Sequence, residues 1–241
     1  MLQCCLNGAR AMADHPALPV SPAQLADDLV SLAGVGVRSV HVHPRDLTGV
    51  EALAGPRIAP TVARLRSVAP RVGIGVTTAA WIEPDTPTRI DLLAGWARLT
   101  AGKPDFASVN VHEDGWLAAC EVLVSARIGI ELGVFHLEAA KSLRAAGLPA
   151  GTVRVLVEVQ PDDPMSALAE LDRLLDELSW VNVPILAHGE EGGAWPVLLE
   201  ASRRGLDTRI GLEDVLVLPD GSPANDNLDL VRAARELGVY E

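Results

Sequence analysis

Eight short runs rich in Val and Ile alternate with eight longer stretches of helical spacing along the 241-residue chain, and this rhythm predicts an α/β protein, a single-domain (βα)8 or TIM barrel. Two further observations support that fold class. Hydrophobic residues make up 49% of the chain and aromatic ones only 3%, so the core is aliphatic, as suits parallel strands covered on both sides. The length matches one barrel of roughly 250 residues. No linker, low-complexity run or repeat beyond the βα rhythm divides the sequence, so one domain is expected to span 1–241.

Strands are expected at 2–6, 37–43, 72–77, 106–111, 129–134, 153–159, 183–188 and 208–212, with helices near 21–33, 57–69, 86–101, 116–126, 136–145, 164–178, 194–204 and 226–237. Ser21-Pro22 and Asp163-Pro164 each place a capping side chain before a proline suited to the first helical position. Gly34, Gly147, Gly205 and Gly238 stand where helices should stop. Closure into a barrel leaves no edge strand. An open doubly wound sheet is the competing architecture, but no glycine-rich dinucleotide fingerprint follows the first strand.

A formal net charge of −12 argues against nucleic acid and anionic membranes as partners, since phosphates need a basic face. Cys4, Cys5 and Cys120 cannot make a disulfide framework, which points to a reducing cytoplasm. The opening residues lead directly into a strand-like run with no basic region and no long apolar stretch, so neither a signal peptide nor a membrane span is expected.

The second strand carries the clearest chemical signal. Its period of two puts Val37, Ser39, His41 and His43 on one side and Val40 and Val42 on the other. If the valines meet the helices, both imidazoles point into the barrel at the C-terminal end of the strand, where barrel enzymes keep their active sites. Neutral imidazole suits zinc and similar divalent metals. Two core histidines satisfied by hydrogen bonds are the plain alternative.

The eighth strand supplies the complement. Arg209, Gly211 and Glu213 share a face, and strands 8 and 2 of a closed barrel are separated by strand 1 alone, so their ends lie roughly 10 Å apart. Glu213 is therefore the expected third ligand of an open, catalytic type of site. Alternatively, Glu213 and Asp214 cap a loop or pair with Arg209. In the catalytic reading Arg209 stabilises developing negative charge and Asp214 is the general base.

Thr77 and Thr78 after strand 3, with Ser108 and Asn110 on strand 4, offer hydroxyl and amide groups to a polar substrate, although such residues are often turn or cap contacts. His112, Glu131, His136, Glu158 and His188 also fall near strand ends, and Glu190-Glu191 after His188-Gly189 is either a polar pair at the active face or a plain surface loop. Gly8 permits a close backbone approach. Arg10 and Arg45 are candidates for holding an anion or for structural ion pairs, and Asp14 lies in a loop that reaches over the barrel mouth.

The runs Asn7-Gly8-Ala9-Arg10, His41-Val42-His43-Pro44-Arg45-Asp46, Ser108-Val109-Asn110-Val111 and Arg209-Ile210-Gly211-Leu212-Glu213-Asp214, followed by Leu-Pro-Asp-Gly at 218–221, occur in this order over nearly the whole chain. In them the sequence resembles the β-keto acid cleavage enzyme family. The resemblance implies a zinc-dependent acyl transfer in which a β-keto acid and acetyl-CoA give acetoacetate and a new acyl-CoA. It further implies His41, His43 and Glu213 as metal ligands, Asp214 as base, Arg209 as its charged assistant, and a homo-oligomer. Thr77 stands in place of a glycine-rich Ser/Thr run, and Asp14 is one methylene shorter than the family's glutamate. The chain is also short for the family, which implies trimmed loops or a reduced CoA-binding surface.

A metal-dependent hydrolase of the amidohydrolase type is the second enzymatic reading, since it too uses His-x-His and a strand-8 carboxylate on a barrel. There the pair ends strand 1 and further histidines follow on middle strands, whereas here His136 and His188 are poorly placed substitutes. A barrel that binds a metabolite as a sensor is the non-enzymatic alternative.

Overall fold

Alternation along each strand sorts side chains into an outer layer that meets helices and an inner layer that fills the barrel. A computed structural model describes residues 1–46 and 48–239; the final two residues of the expected domain lie outside them. The strands are β1 (Leu2–Cys5), β2 (Ser39–Val42), β3 (Gly73–Thr77), β4 (Phe106–Asn110), β5 (Gly129–Val134), β6 (Thr152–Val159), β7 (Ile185–Gly189) and β8 (Asp207–Ile210). They pair in parallel in chain order, and β8 closes on β1. The fold is thus the expected single-domain TIM barrel.

The helices are α1 (Pro22–Gly34), α2 (Gly55–Val68), α3 (Thr86–Ala94), α4 (Trp116–Ser125), α5 (Leu137–Ala146), α6 (Pro164–Glu177), α7 (Ala194–Arg203) and α8 (Asn227–Glu236). Ser21 and Gln24 form a reciprocal capping box at α1, and Asp163 caps α6 through Ser166 N–H, so both expected starts are realised. Val40, Val42, Val155, Val157 and Ala187 are fully buried in the aliphatic layer beneath the helices. Each large aliphatic side chain there contributes roughly 1.5–3 kcal/mol on burial. No helix among the described residues is long and apolar enough to cross a membrane.

The lower interior is polar. Gln3 on β1 reaches Glu131 on the opposite strand β5 at 3.3 Å and Ser39 on β2 at 3.1 Å, while Arg154 on β6 lies 3.0 Å from Glu131. Burial raises the Glu131 pKa and Arg154 pulls it back only in part. These contacts cross the barrel and close its floor under the cavity described below.

Three local expectations change. The third helix ends at Ala94 and tightens to a 3-10 turn over Gly95–Arg98, which seats fully buried Trp96 with its indole N–H donating to Leu53 C=O at 2.7 Å. Gly34 is the last residue of α1, and Gly36, at φ +98°, makes the left-handed step. Strand β8 stops at Ile210, and the next residue, Gly211, lies so close to the Cys5 backbone that a Cβ would overlap it. The chain then turns, with Asp214 and Val215 N–H groups donating to Gly211 C=O.

Asn227 on α8 locks three elements together. It is fully buried, accepts from Leu212 N–H at 2.7 Å, and donates to Leu6 C=O and to Asp28 Oδ2 of α1. Burial pushes the Asp28 carboxyl up, the Asn227 amide pulls it down and Asp226 pushes it up again, leaving it at about 7. The unfolded chain releases this proton near 3.8, so the folded state binds it more tightly and loses stability as pH rises from 3.8 through about 7. In Asp28→Asn that contribution disappears, and urea unfolding should show a smaller fall in midpoint between acidic and alkaline pH than the parent; an identical pH profile would refute it.

Candidate active site

His41 and His43 are held by the way β1 guides the end of β2. Leu6 N–H donates to His41 C=O at 3.0 Å, and the Asn7 side chain then continues the ladder, accepting from His43 N–H at 2.9 Å and donating to His43 C=O at 3.0 Å. Val40 and Val42 occupy the outer layer, so the expected alternation holds and both imidazoles face inward. Val37, expected on the inner side, precedes the strand and packs with the aliphatic core. The two rings meet edge to face with centroids 5.1 Å apart, and both residues are buried.

Arg209 and the turn after β8 bring the other half of the site. Arg209 Nη2 donates to Glu213 Oε1 at 2.9 Å, and Arg209 Nε donates to fully buried Asp214 Oδ1 at 3.1 Å. Strict strand alternation would send Asp214 to the far side from Glu213; the turn at Gly211 instead presents both carboxylates to one guanidinium. Gly8, at φ +54°, has no Cβ to collide with the Glu213 side chain, which packs directly over it. The close approach expected of Gly8 is thus made toward Glu213.

One donor atom each from His41, His43 and Glu213 lies within 4.8 Å of the others, and His43 Nε2 is 3.8 Å from Glu213 Oε1. His41 Nδ1 and Glu213 Oε2 are buried with no hydrogen-bond partner. Burial, with His43 and Arg209 nearby, lowers the His41 pKa, so its ring stays neutral and keeps a lone pair. Burial alone would raise the Glu213 pKa, but Arg209, His43 and His188 outweigh it and the carboxylate is ionised. Two imidazole rings and one ionised carboxylate, brought this close, fit a divalent cation. The expected pairing of Glu213 with Arg209 is present through Oε1, while Oε2 has no hydrogen-bond partner.

These groups open into a cavity of about 320 Å³ beyond the C-terminal ends of the strands. Ser108 and Asn110 line it, with Asn110 Nδ2 held by Glu113 at 2.9 Å. Asp14 lies outside the lining and accepts from Ala11 N–H in its own loop, and Thr77 accepts from Ala79 N–H at 3.2 Å. Arg45 is spent on the Gly8 and Arg10 carbonyls, whereas Arg10 lines the cavity while bound to Leu212 C=O and Glu191. His112 and His136 flank a separate depression, where His136 caps α5.

Glu158, on the inner face of β6, and Glu190 form an acidic wall, and burial raises the pKa of both. Behind them His188 lies 3.5 Å from Glu158 and 3.4 Å from Asp214, with burial and Arg209 lowering its pKa. Leu156, Phe135 and Trp81 complete the lining. The alternation of β6 could have revealed Leu156 beside Glu158. No periodic signal marked Trp81 or Glu51, because both lie in irregular loops and Glu51 meets His43 only through the fold.

Among solved structures, the chain is similar to the type I 3-dehydroquinate dehydratase of Clostridium difficile, at 12% identity and TM-score 0.66 over 99% of this chain and 93% of that one, and to the 3-dehydroquinate dehydratase of Geobacillus kaustophilus, at 12% and 0.68 over 100% and 91%. It is likewise similar to the dihydrodipicolinate synthase of Agrobacterium tumefaciens, at 14% identity and TM-score 0.59 over 98% and 75%. At such identities the likeness establishes the barrel alone. The sequence description of the beta-keto acid cleavage enzyme matches residues 1–239, and the chain belongs to that family.

Proposed function

We propose that this protein is a zinc-dependent enzyme that reacts a β-keto acid with acetyl-CoA, releasing acetoacetate and a new acyl-CoA. The observation that carries this reading is the convergence of His41, His43, Glu213 and Arg209 on one cavity of a chain from this family, with Asp214 buried against Arg209 just outside the lining. A divalent cation bound by the three ligands supplies Lewis-acid stabilisation to negative charge developing on substrate oxygens.

The chain's own groups provide the rest. Arg209 holds Asp214 through Oδ1, leaving Oδ2 buried and without a partner as the proton-accepting atom. The same guanidinium stays charged, because Asp214 and Glu213 overcome the cost of burying it. Ser108 and Asn110 offer a hydroxyl and an amide to the polar atoms of the keto acid, while Leu156 and Phe135 contact its apolar part. Asp14 and Thr77 act indirectly, by bracing loops at the mouth.

Charge supports a cation in this role. Arg10 and Arg209, the guanidinium groups of the lining, are already bound to carboxylates, so an anionic keto acid needs positive charge beyond these side chains. The amidohydrolase alternative has less support, because His188 lies between carboxylates and His136 caps a helix outside the cavity. A reducing cytoplasm, supported by three buried free cysteines, and a homo-oligomeric state complete the proposal.

A panel of β-keto acids with acetyl-CoA, assayed on zinc-loaded protein for acetoacetate, tests the reaction; turnover that proceeds equally without acetyl-CoA would refute acyl transfer. Glu213→Gln should lower metal affinity well beyond the roughly 10–100-fold cost of removing an outer-shell partner, and full retention of zinc after dialysis would exclude ligation. Asp214→Asn should cut kcat by about 10²–10⁴-fold at unchanged zinc content, and near-parental kcat would exclude it as the base.

A further inference from the structure

We propose that Glu51, braced by Trp81, is a positioning residue that sets the tautomer and orientation of His43 for metal binding. The inference rests on the reading of His41, His43 and Glu213 as a metal centre. Glu51 is neither a donor of that cluster nor part of the cavity lining.

Glu51 Oε1 lies 2.5 Å from His43 Nδ1, and a carboxylate oxygen there accepts from the ring N–H. A proton on Nδ1 leaves the lone pair on Nε2, and Nε2 is the atom that faces Glu213. The carboxylate is itself fixed from the other side, since Trp81 Nε1–H donates to Glu51 Oε2 at 3.2 Å. The indole also lies nearly parallel to the imidazole, with centroids 6.2 Å apart and planes inclined by 21°. Thus His43 is held at its edge by Glu51 and on its face by Trp81.

The backbone keeps Glu51 in place. Arg45 and Glu51 form an antiparallel bridge, Ala52 N–H donates to Pro44 C=O at 3.0 Å, and Asp46 N–H donates to Val50 C=O at 2.8 Å. Arg45 in turn anchors this loop on the Gly8 and Arg10 carbonyls of the neighbouring β1 loop. His43 is thus a ligand whose second ring nitrogen is already held by a carboxylate. A carboxylate that accepts the second N–H of a ligating histidine fixes its tautomer and raises its basicity, and its loss costs about 10–100-fold in metal affinity.

The test compares parent, Glu51→Gln and Trp81→Phe by chelator competition for zinc, by the visible spectrum of the cobalt-loaded protein, and by nitrogen NMR of the imidazoles in the metal-free protein. Glutamine keeps the shape and can still accept one hydrogen bond but lacks the charge. Expected are a 10–100-fold lower zinc affinity in Glu51→Gln, to within about a factor of three, a shifted cobalt spectrum, and loss of the pure Nδ1–H form of His43. Trp81→Phe, which keeps the stacking, should show a smaller loss of affinity. A purely structural role for Glu51 predicts a lower unfolding midpoint with parental zinc affinity and tautomer, and that outcome would overturn the inference while leaving the metal centre intact. A parent protein that binds no ion would overturn the metal centre and this inference with it.

Discussion

A guanidinium buried at the end of a barrel strand is untenable unless anions meet it, and the site is organised around meeting that condition at Arg209. Desolvation of an isolated charge costs several kcal/mol even after relaxation. Here the cost is offset by Glu213 and Asp214, both within 3.1 Å of the guanidinium. The three groups fix one another, and this defines which carboxylate oxygens remain free. Those oxygens, Glu213 Oε2 and Asp214 Oδ2, are buried and have no hydrogen-bond partner. A buried ionic knot of this kind adds little net stability, but it restricts the site to one arrangement.

The turn at Gly211 makes that arrangement possible. A side chain there would collide with the Cys5 backbone, so β1 and β8 could not stay paired as the chain swings inward. Gly8 plays the matching part on the facing loop by leaving space for Glu213. Two glycines on adjacent strand ends thus convert an alternating strand into a corner with two consecutive carboxylates on one side. Packing of the strand ends, backbone conformation and ligand placement are a single constraint in this region.

The interior divides along the barrel axis by function. Beneath the cavity, Gln3, Ser39, Glu131 and Arg154 link strands from opposite sides and form a polar floor. Above it, the guanidinium groups of Arg10 and Arg209 are both already paired with carboxylates, and further acidic side chains line the cavity. The solved structures that share the barrel differ from this chain in nearly nine of ten residues, and they illustrate the scaffold rather than the chemistry. Family membership and the converging donors carry the functional reading.

The sequence by itself determined the barrel and half of the site, because both depend on periodicities written along the chain. Alternation in β2 placed His41 and His43 on one inner face, and the order of strands placed Glu213 two strands away from them. Only the tertiary structure decided that Asp214 joins Glu213 on Arg209, since that follows from a turn forced by contact between β1 and β8. It alone brought Glu51 and Trp81 to His43, and it directed Arg45 to backbone carbonyls rather than to the cavity. Loop residues have no repeating geometry from which a direction can be read, so their partners are fixed by the surfaces the barrel brings together.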